Sequence, residues 1–362
     1  MLARLWNPDV LRGFPDVAEV ELAALGAKLH GELGLSGLLV GEEFGGSGAN
    51  REFATVAAEE LGARLAPFDL VGACTTAQVL AAGGGQGGAS WLRRVAEDPR
   101  PFVFAWPGGD ASWSIHDIRT ATVSGEVLSG RIDYVPGLVG SPFIAVPATS
   151  GSEFGIAIVD GAAEGVTVTE VSRADSLRAI GHLAVERVAC TFMPVPERGF
   201  TEALALGAIL LSADMVGAAR SCIEQMVEYG LIRRQFGQPI VTFQALKHDV
   251  VDAAVEFERA KASVYRAAKM LDALSDKESG VAEQAVVFAR IAKAAAGTAL
   301  RAAAKQSIQL HGGTGFTWEN LSHRYLKKWV TGNELLGSTD IQRRLVYAAS
   351  QTLGTSSALV SK

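Results

Sequence analysis

The chain is short of the residues from which many sites are built. Of its 362 residues only 3 are cysteine. Cys74, Cys190 and Cys222 are too scattered for a disulfide framework or a Cys-x-x-Cys metal site, and each reads as a small core residue. Among the 6 histidines, His30, His116, His182, His248, His311 and His323, none forms an i, i+4 pair around a glutamate. There is no Gly-x-Ser-x-Gly elbow either, so neither metal nor hydrolytic chemistry has support. A dinucleotide fingerprint is missing, because the glycine clusters do not stand between a strand and a helix. The longest apolar run, Ala203 to Leu211, is far short of the roughly 18 to 20 residues that cross a bilayer. Met1 to Trp6 shows no signal-peptide core or cleavage site, and the expected location is the cytoplasm. Basic residues come in blocks no longer than Arg233-Arg234 or Arg343-Arg344, and 33 Lys+Arg against 39 Asp+Glu leave a net charge of −6. Without a basic stripe, nucleic acid is not an expected partner.

What the chain has is apolar bulk, at 48% hydrophobic residues, and 40 glycines. The length permits two or three modest domains. The pattern changes character twice, which divides the chain into residues 1–100, 101–197 and 198–362. The first region reads as mostly helical, with a glycine-rich break over residues 41–48 and a charged helix that Gly62 would cap. The glycines of residues 83–88 read as a loop. The second region turns to short β-branched runs at residues 120–123, 127–130, 143–146, 155–159 and 166–169, the spacing of an antiparallel β domain. In the third region Leu246, Val250, Ala253, Phe257, Ala260, Val264, Ala267 and Leu271 recur in steps of four and three, one face of a long helix. Further helices are expected from about Leu206 to Ile232 and from Val281 to Leu310. Together these make an α+β protein ending in an antiparallel helical bundle.

Two segments stand out for chemistry. One runs from Tyr229 through Arg233, Arg234, Gln235, Phe236, Gly237, Gln238 and Pro239 to His248. The other runs from Gln309 through His311, Gly312, Gly313, Thr314 and Gly315 to Glu319, and is followed by Gly337, Ser338 and Thr339. Each has an ordinary structural reading. Arginines at a helix end oppose the dipole, and His311-Gly312-Gly313 would serve as a C-cap. They also supply what a diphosphate requires, a guanidinium for forked hydrogen bonds and bare backbone for close approach.

In this order and spacing, with Glu-Glu-x-Gly-Gly-x-Gly and Glu-Glu-Leu-Gly stretches upstream, the segments resemble the acyl-CoA dehydrogenase family over nearly the whole chain. The resemblance implies an N-terminal helical domain, a central β domain and a C-terminal four-helix bundle. It also implies FAD lying across a subunit interface, with Arg233, Phe236, Gln309 and Gly313 at the positions that hold its adenine and diphosphate end. An electron-transferring flavoprotein is the acceptor the family implies.

The chain departs from the family elsewhere. The strand that normally reads Thr-Glu-Pro at the flavin ring is here Phe104-Ala105-Trp106-Pro107, and the second ring-binding strand ends Tyr134-Val135-Pro136. Ala105 and Pro136 replace hydroxyl-bearing threonines, and Pro136 has no N–H to offer. The usual slot of the catalytic carboxylate is Leu336, and the alternative slot on the first bundle helix is Gly207-Ala208. Glu334 and Glu202 stand near these slots, as solvated acids in the ordinary reading. This pattern resembles the base-less subunit of the actinobacterial steroid-degrading dehydrogenases, which assemble as α2β2 with a homologous subunit bearing the base. The alternatives are a complete homomeric dehydrogenase with Glu334 as a displaced base, a flavin-dependent monooxygenase of the same fold, and a partner without flavin contact.

Overall fold

The computed structural model describes residues 6–12, 26, 28–29, 31–67, 69–98, 102–106, 118–273 and 279–354. His30, His116 and Pro107 fall outside the described residues. Ahead of the sheet, among the described residues, lie α1 (Arg51–Ala63), α2 (Leu70–Gly83) and α3 (Gly85–Glu97). Next is an eight-stranded sheet of β1 (Val103–Phe104), β2 (Ala121–Ser124), β3 (Val127–Pro136), β4 (Phe143–Ser150), β5 (Glu153–Asp160), β6 (Val166–Glu170), β7 (Ile180–Ala189) and β8 (Thr191–Pro194). The chain then returns to helices: α4 (Glu197–Ile232), α5 (Gln244–Asp272), α6 (Ser279–His311), α7 (Ser322–Glu334) and α8 (Thr339–Gly354). Between α4 and α5 lies a small hairpin, β9 (Arg234–Gln235) and β10 (Gln238–Pro239).

The helical stripe of the third region is present on α5, where Ala253, Phe257, Ala260, Val264, Ala267 and Leu271 are buried. Several local expectations need correction. Gly84, at φ +61, breaks the chain between α2 and α3, but Gly85 to Gly88 open α3 rather than forming a loop. Gly62 is inside α1 rather than capping it, and the left-handed residue after that helix is Leu65, at φ +52. The sheet is not purely antiparallel, since β4 pairs in parallel with both β1 and β2. Strand β7 went unread because its segment mixes charged residues into the alternation, as at Glu186-Arg187, and β8 because it is only four residues long.

Helix α4 begins nine residues before its sequence signature and is 36 residues long, about 54 Å at the usual rise. An i, i+4 pair of Arg198 and Glu202 supports its first turns. From Ala203 to Ala219 every residue is buried, which identifies a stretch surrounded by other elements. By length and composition it would cross a bilayer, yet 94% of its most apolar window is buried within the fold.

Small residues let its neighbours approach. A Cβ at Gly62 of α1 would lie 1.9 Å from the Asp214 carbonyl oxygen, and one at Gly217 of α4 would lie 1.8 Å from the Glu59 carbonyl oxygen. The two helices therefore cross backbone to backbone. Buried ion pairs fix the same region. Asp214 accepts from Arg178 at 3.0 Å, ahead of β7, and from Lys328 of α7 at 2.8 Å. Glu59 accepts from Arg220 at 3.1 Å and from the Tyr265 hydroxyl at 2.7 Å, which ties α1 to α4 and α5. Charges this enclosed are stable only when paired.

Gly217→Ala places a methyl group where the Glu59 carbonyl stands. We expect it to cost about 1–3 kcal/mol in urea unfolding. A change below about 0.5 kcal/mol, the range of neutral surface substitutions, would show that the crossing has slack.

Candidate functional site

The first site segment is shaped by the end of α4. Arg233 caps the helix, its N–H bonded to the Tyr229 carbonyl at 2.9 Å, and its own carbonyl accepts from the Ile240 N–H at 2.9 Å. Between these bonds the chain makes the β9–β10 hairpin. Its central residues, Phe236 and Gly237, have φ of +52 and +79, as a two-residue type I′ turn requires. The loop expected from Gly237 and Pro239 is thus a defined hairpin. It holds Phe236 out, 91% exposed, with its ring edge-on to Phe243 at 6.1 Å. Arg233 is exposed, with no carboxylate beside its guanidinium among the described residues.

The second segment follows α6. Gly312, at φ +62, ends the helix as its left-handed cap. The glycines after it differ in their reasons. A Cβ on Gly315 would strike the Ile308 carbonyl oxygen at 2.6 Å, whereas one on Gly313 would meet nothing within 4 Å. Packing inside the chain explains Gly315 and leaves Gly313 as bare backbone facing open space. Gln309 is exposed on the last turn of α6.

The two segments meet through a ring pair. Tyr229 lies over His311 with centroids 4.4 Å apart and planes tilted by 30°. The His311 Nδ1 lies 2.7 Å from the Ser307 carbonyl oxygen, and burial holds the imidazole below its ordinary pKa. A neutral ring is therefore stacked there at pH 7. Since Tyr229 is one turn before Arg233 and His311 two residues beyond Gln309, the pair places Arg233, Phe236, Gln309 and Gly313 at one end of the bundle. Exposed apolar side chains surround them: Leu231, Ile232, Phe236 and Phe316 are 58%, 77%, 91% and 71% exposed.

The other positions are closed. Leu336, at φ +57 and 6% exposed, lies in the turn between α7 and α8 and belongs to the main hydrophobic core. That turn is held tightly. Gln342 Nε2 donates to the Leu336 carbonyl at 2.6 Å, and the fully buried Lys293 ammonium donates to the carbonyls of Asn333 and Gly337 at 3.1 and 3.3 Å. Glu334 stays on the exposed side, accepting from Asn333 Nδ2 at 2.9 Å. Glu202 is occupied by Arg198 at 2.7 Å and Gln78 at 3.3 Å. In the alternative slot, Gly207 lies against Thr75 and the indole of Trp106. Residues 102–106 are all at most 2% exposed, and Pro136 sits in β3 opposite Ile180.

A surface groove of about 530 Å³ runs along α6, α7 and α8, lined by Arg301, Lys305, Trp329, Asn333 and Arg343, and includes none of the half-site residues.

Sequence reasoning missed the Tyr229–His311 pair, although both residues stand inside the quoted segments. It also missed Lys293. The signal was there, a lone lysine in step with Ala289, Ala296 and Leu300 on the buried face of α6.

Burial pulls Lys293 down from 10.5 to about 7, against the opposing pull of Glu334. Between those values the unfolded chain holds a proton that the folded chain lacks, so stability should rise with pH across that window. Lys293→Met should flatten the rise, and also lose the two carbonyl contacts. Urea unfolding from pH 7 to 10 measures this, and an unchanged slope in the variant would refute it.

Comparison with known proteins places this geometry. Residues 15–98 match the acyl-CoA dehydrogenase N-terminal domain and residues 198–351 the acyl-CoA dehydrogenase C-terminal domain. Acyl-CoA dehydrogenase IpdE2 of Mycobacterium tuberculosis is 30% identical over 316 residues, covering 87% of this chain and 83% of that protein. Among solved structures, the ChsE4-ChsE5 complex from Mycobacterium tuberculosis superposes with a TM-score of 0.81 at 20% identity, covering 97% of this chain and 94% of that one. A variant of the Tcur3481-Tcur3483 steroid ACAD superposes with a TM-score of 0.80 at 24% identity, covering 92% and 90%. With these matches spanning both helical regions and the sheet between them, the chain belongs to the acyl-CoA dehydrogenase family, whose members are FAD-dependent oxidoreductases.

Proposed function

We propose that this chain is the base-less subunit of a heteromeric acyl-CoA dehydrogenase, supplying the adenine and diphosphate half-site for FAD to a homologous subunit that carries the catalytic carboxylate. The observation that carries this reading is the contrast between an open half-site at Arg233, Phe236, Gln309 and Gly313 and a base slot filled by buried Leu336. The reaction is the α,β-desaturation of a CoA thioester, and the assembly α2β2. The names of the ChsE4-ChsE5 and Tcur3481-Tcur3483 proteins each join two chains, which supports a heteromer. The second is called a steroid ACAD, which supports a steroid side chain as the acyl group. The division at residues 1–100, 101–197 and 198–362, a cytoplasmic location and an electron-transferring flavoprotein as acceptor belong to the same reading.

The residues fit one end of FAD and not the other. At the diphosphate end, the exposed Arg233 guanidinium supplies forked donors, and the open backbone at Gly313 lets an anion approach its N–H. Gln309 adds an amide, and Phe236 an uncovered ring that a partner surface or an adenine would desolvate. At the ring end, Ala105 and Pro136 supply no side-chain donor and Trp106 fills the adjoining space. FAD, when bound, supplies the hydride acceptor. This chain's part is to hold the cofactor's far end and to exclude water from it.

No proton can be taken by Leu336 or Gly207. A missing general base commonly costs on the order of 10²- to 10⁴-fold in rate, so turnover requires the partner. A complete homomeric enzyme using Glu334 finds no geometric support, because that carboxylate is exposed and tied to Asn333.

With the homologous subunit co-expressed, Arg233→Ala should weaken FAD retention by at least about tenfold, the worth of a charged hydrogen bond. Glu334→Gln should leave turnover within about twofold, well inside the loss expected for a general base. Flavin absorbance per chain and turnover on an acyl-CoA measure both. Full FAD content in the arginine variant would end the half-site reading, and abolished turnover in the glutamate variant would restore the displaced base.

A further inference from the structure

The lack of a carboxylate at Gly207 has a structural counterpart across the seam between the sheet and the helices. Trp106 ends the described segment that begins at Phe102 and is 2% exposed. A Cβ built on Gly207 of α4 would lie 3.0 Å from the indole Cη2 and 3.2 Å from Cγ2 of Thr75 on α2. The bulk on one side matches the absence of a side chain on the other. A carboxylate-bearing side chain at position 207 would have to push the indole aside.

The packing continues away from this contact. Trp106 meets Phe104 edge-on at 5.4 Å, Phe104 meets Phe200 at 6.3 Å, and Phe200 meets Phe154 at 4.4 Å. The indole Nε1–H has no acceptor among the described residues. A buried donor left without a partner opposes burial, so the packing of the ring, and not a hydrogen bond, is what holds the side chain there.

We propose that Trp106 is an internal plug, its indole filling the seam between β1, α2 and α4, so that this chain carries no flavin-ring or acyl site of its own. This rests on the reading that the flavin ring and the acyl group are held in the partner's site. It deepens that reading from a missing base to a closed cavity. Restoring a carboxylate at position 207 would not by itself restore a site.

The test uses the full-length chain, with lumiflavin as a ring probe lacking the adenine and diphosphate, and indole as a cavity probe. Wild type should leave lumiflavin fluorescence unchanged. Trp106→Gly, checked for a cooperative unfolding transition, should bind indole at least about tenfold more tightly than wild type, since apolar cavities of this kind accept aromatic ligands. Trp106→Phe, still filled, should bind neither probe. Gly207→Ala should lower the melting temperature of wild type and cost less than half as much beside Trp106→Gly. If that variant does not fold, the same cycle run with Trp106→Phe decides, and Gly207→Ala should again cost less there.

Stoichiometric lumiflavin binding by wild type would overturn the plug, as would an equal cost of Gly207→Ala in both backgrounds. Either result would leave the dependence of FAD on Arg233 untouched. Conversely, loss of that dependence would overturn the half-site and not the plug.

Discussion

Close approach to one buried helix governs this structure. Helix α4 meets a different neighbour at each of its well-spaced glycines: Ala82 at Gly199, Trp106 at Gly207, the Glu59 backbone at Gly217 and Val241 at Gly230. The contacts at Gly199 and Gly217 are closer than a Cβ tolerates, and those at Gly207 and Gly230 are tighter than a Cβ ordinarily makes. Dispersion and apolar burial reward such fits only when the surfaces match. The positions of α1, α2, the sheet edge and the hairpin loop are in that sense set by where α4 has no side chain.

Both ends of this helix bear on function. At its C-terminal end the backbone turns into a hairpin and leaves Arg233 exposed beside the end of α6, with Tyr229 and His311 fastening the two. Near its N-terminal end the same helix accepts an indole. One end is therefore open, with an exposed guanidinium among exposed apolar side chains, and the other is dry and filled, the contrast on which the proposed function rests. Hydrogen bonds reinforce the closed region, since Lys293 and Gln342 satisfy the carbonyls of the Leu336 turn from inside the core. A buried polar network of this kind resists rearrangement because each broken bond leaves an unpaired group.

Much of this was legible in the residues. The stripe on α5 announced itself because it is half-buried and periodic, and the family motifs around Arg233 and Gln309 could be read as strings. Leu336 in the base slot was equally plain. Less was visible where burial removes periodicity. Helix α4, buried all round from Ala203 to Ala219, showed only an apolar run there and gave no sign of its first turns. Gly62 looked like a cap because glycine serves both helix ends and helix crossings, and only the neighbouring Asp214 backbone distinguishes them. The glycines at 85–88 likewise entered a helix because α3 had apolar partners to reach.

By itself the sequence determined the family, the order of helical and β regions, and which residue types stand at the positions where the family resemblance looks for cofactor contacts and for a base. Those are properties of residue type and spacing along one chain. Tertiary structure decided which of those residues share a place: that Tyr229 stacks on His311, that Glu334 faces outward, that Lys293 reaches the Leu336 turn, and that Trp106 lies against Gly207. Each is a contact between segments far apart in sequence. Such contacts depend on how closely packed backbones approach, which residue order alone does not encode locally.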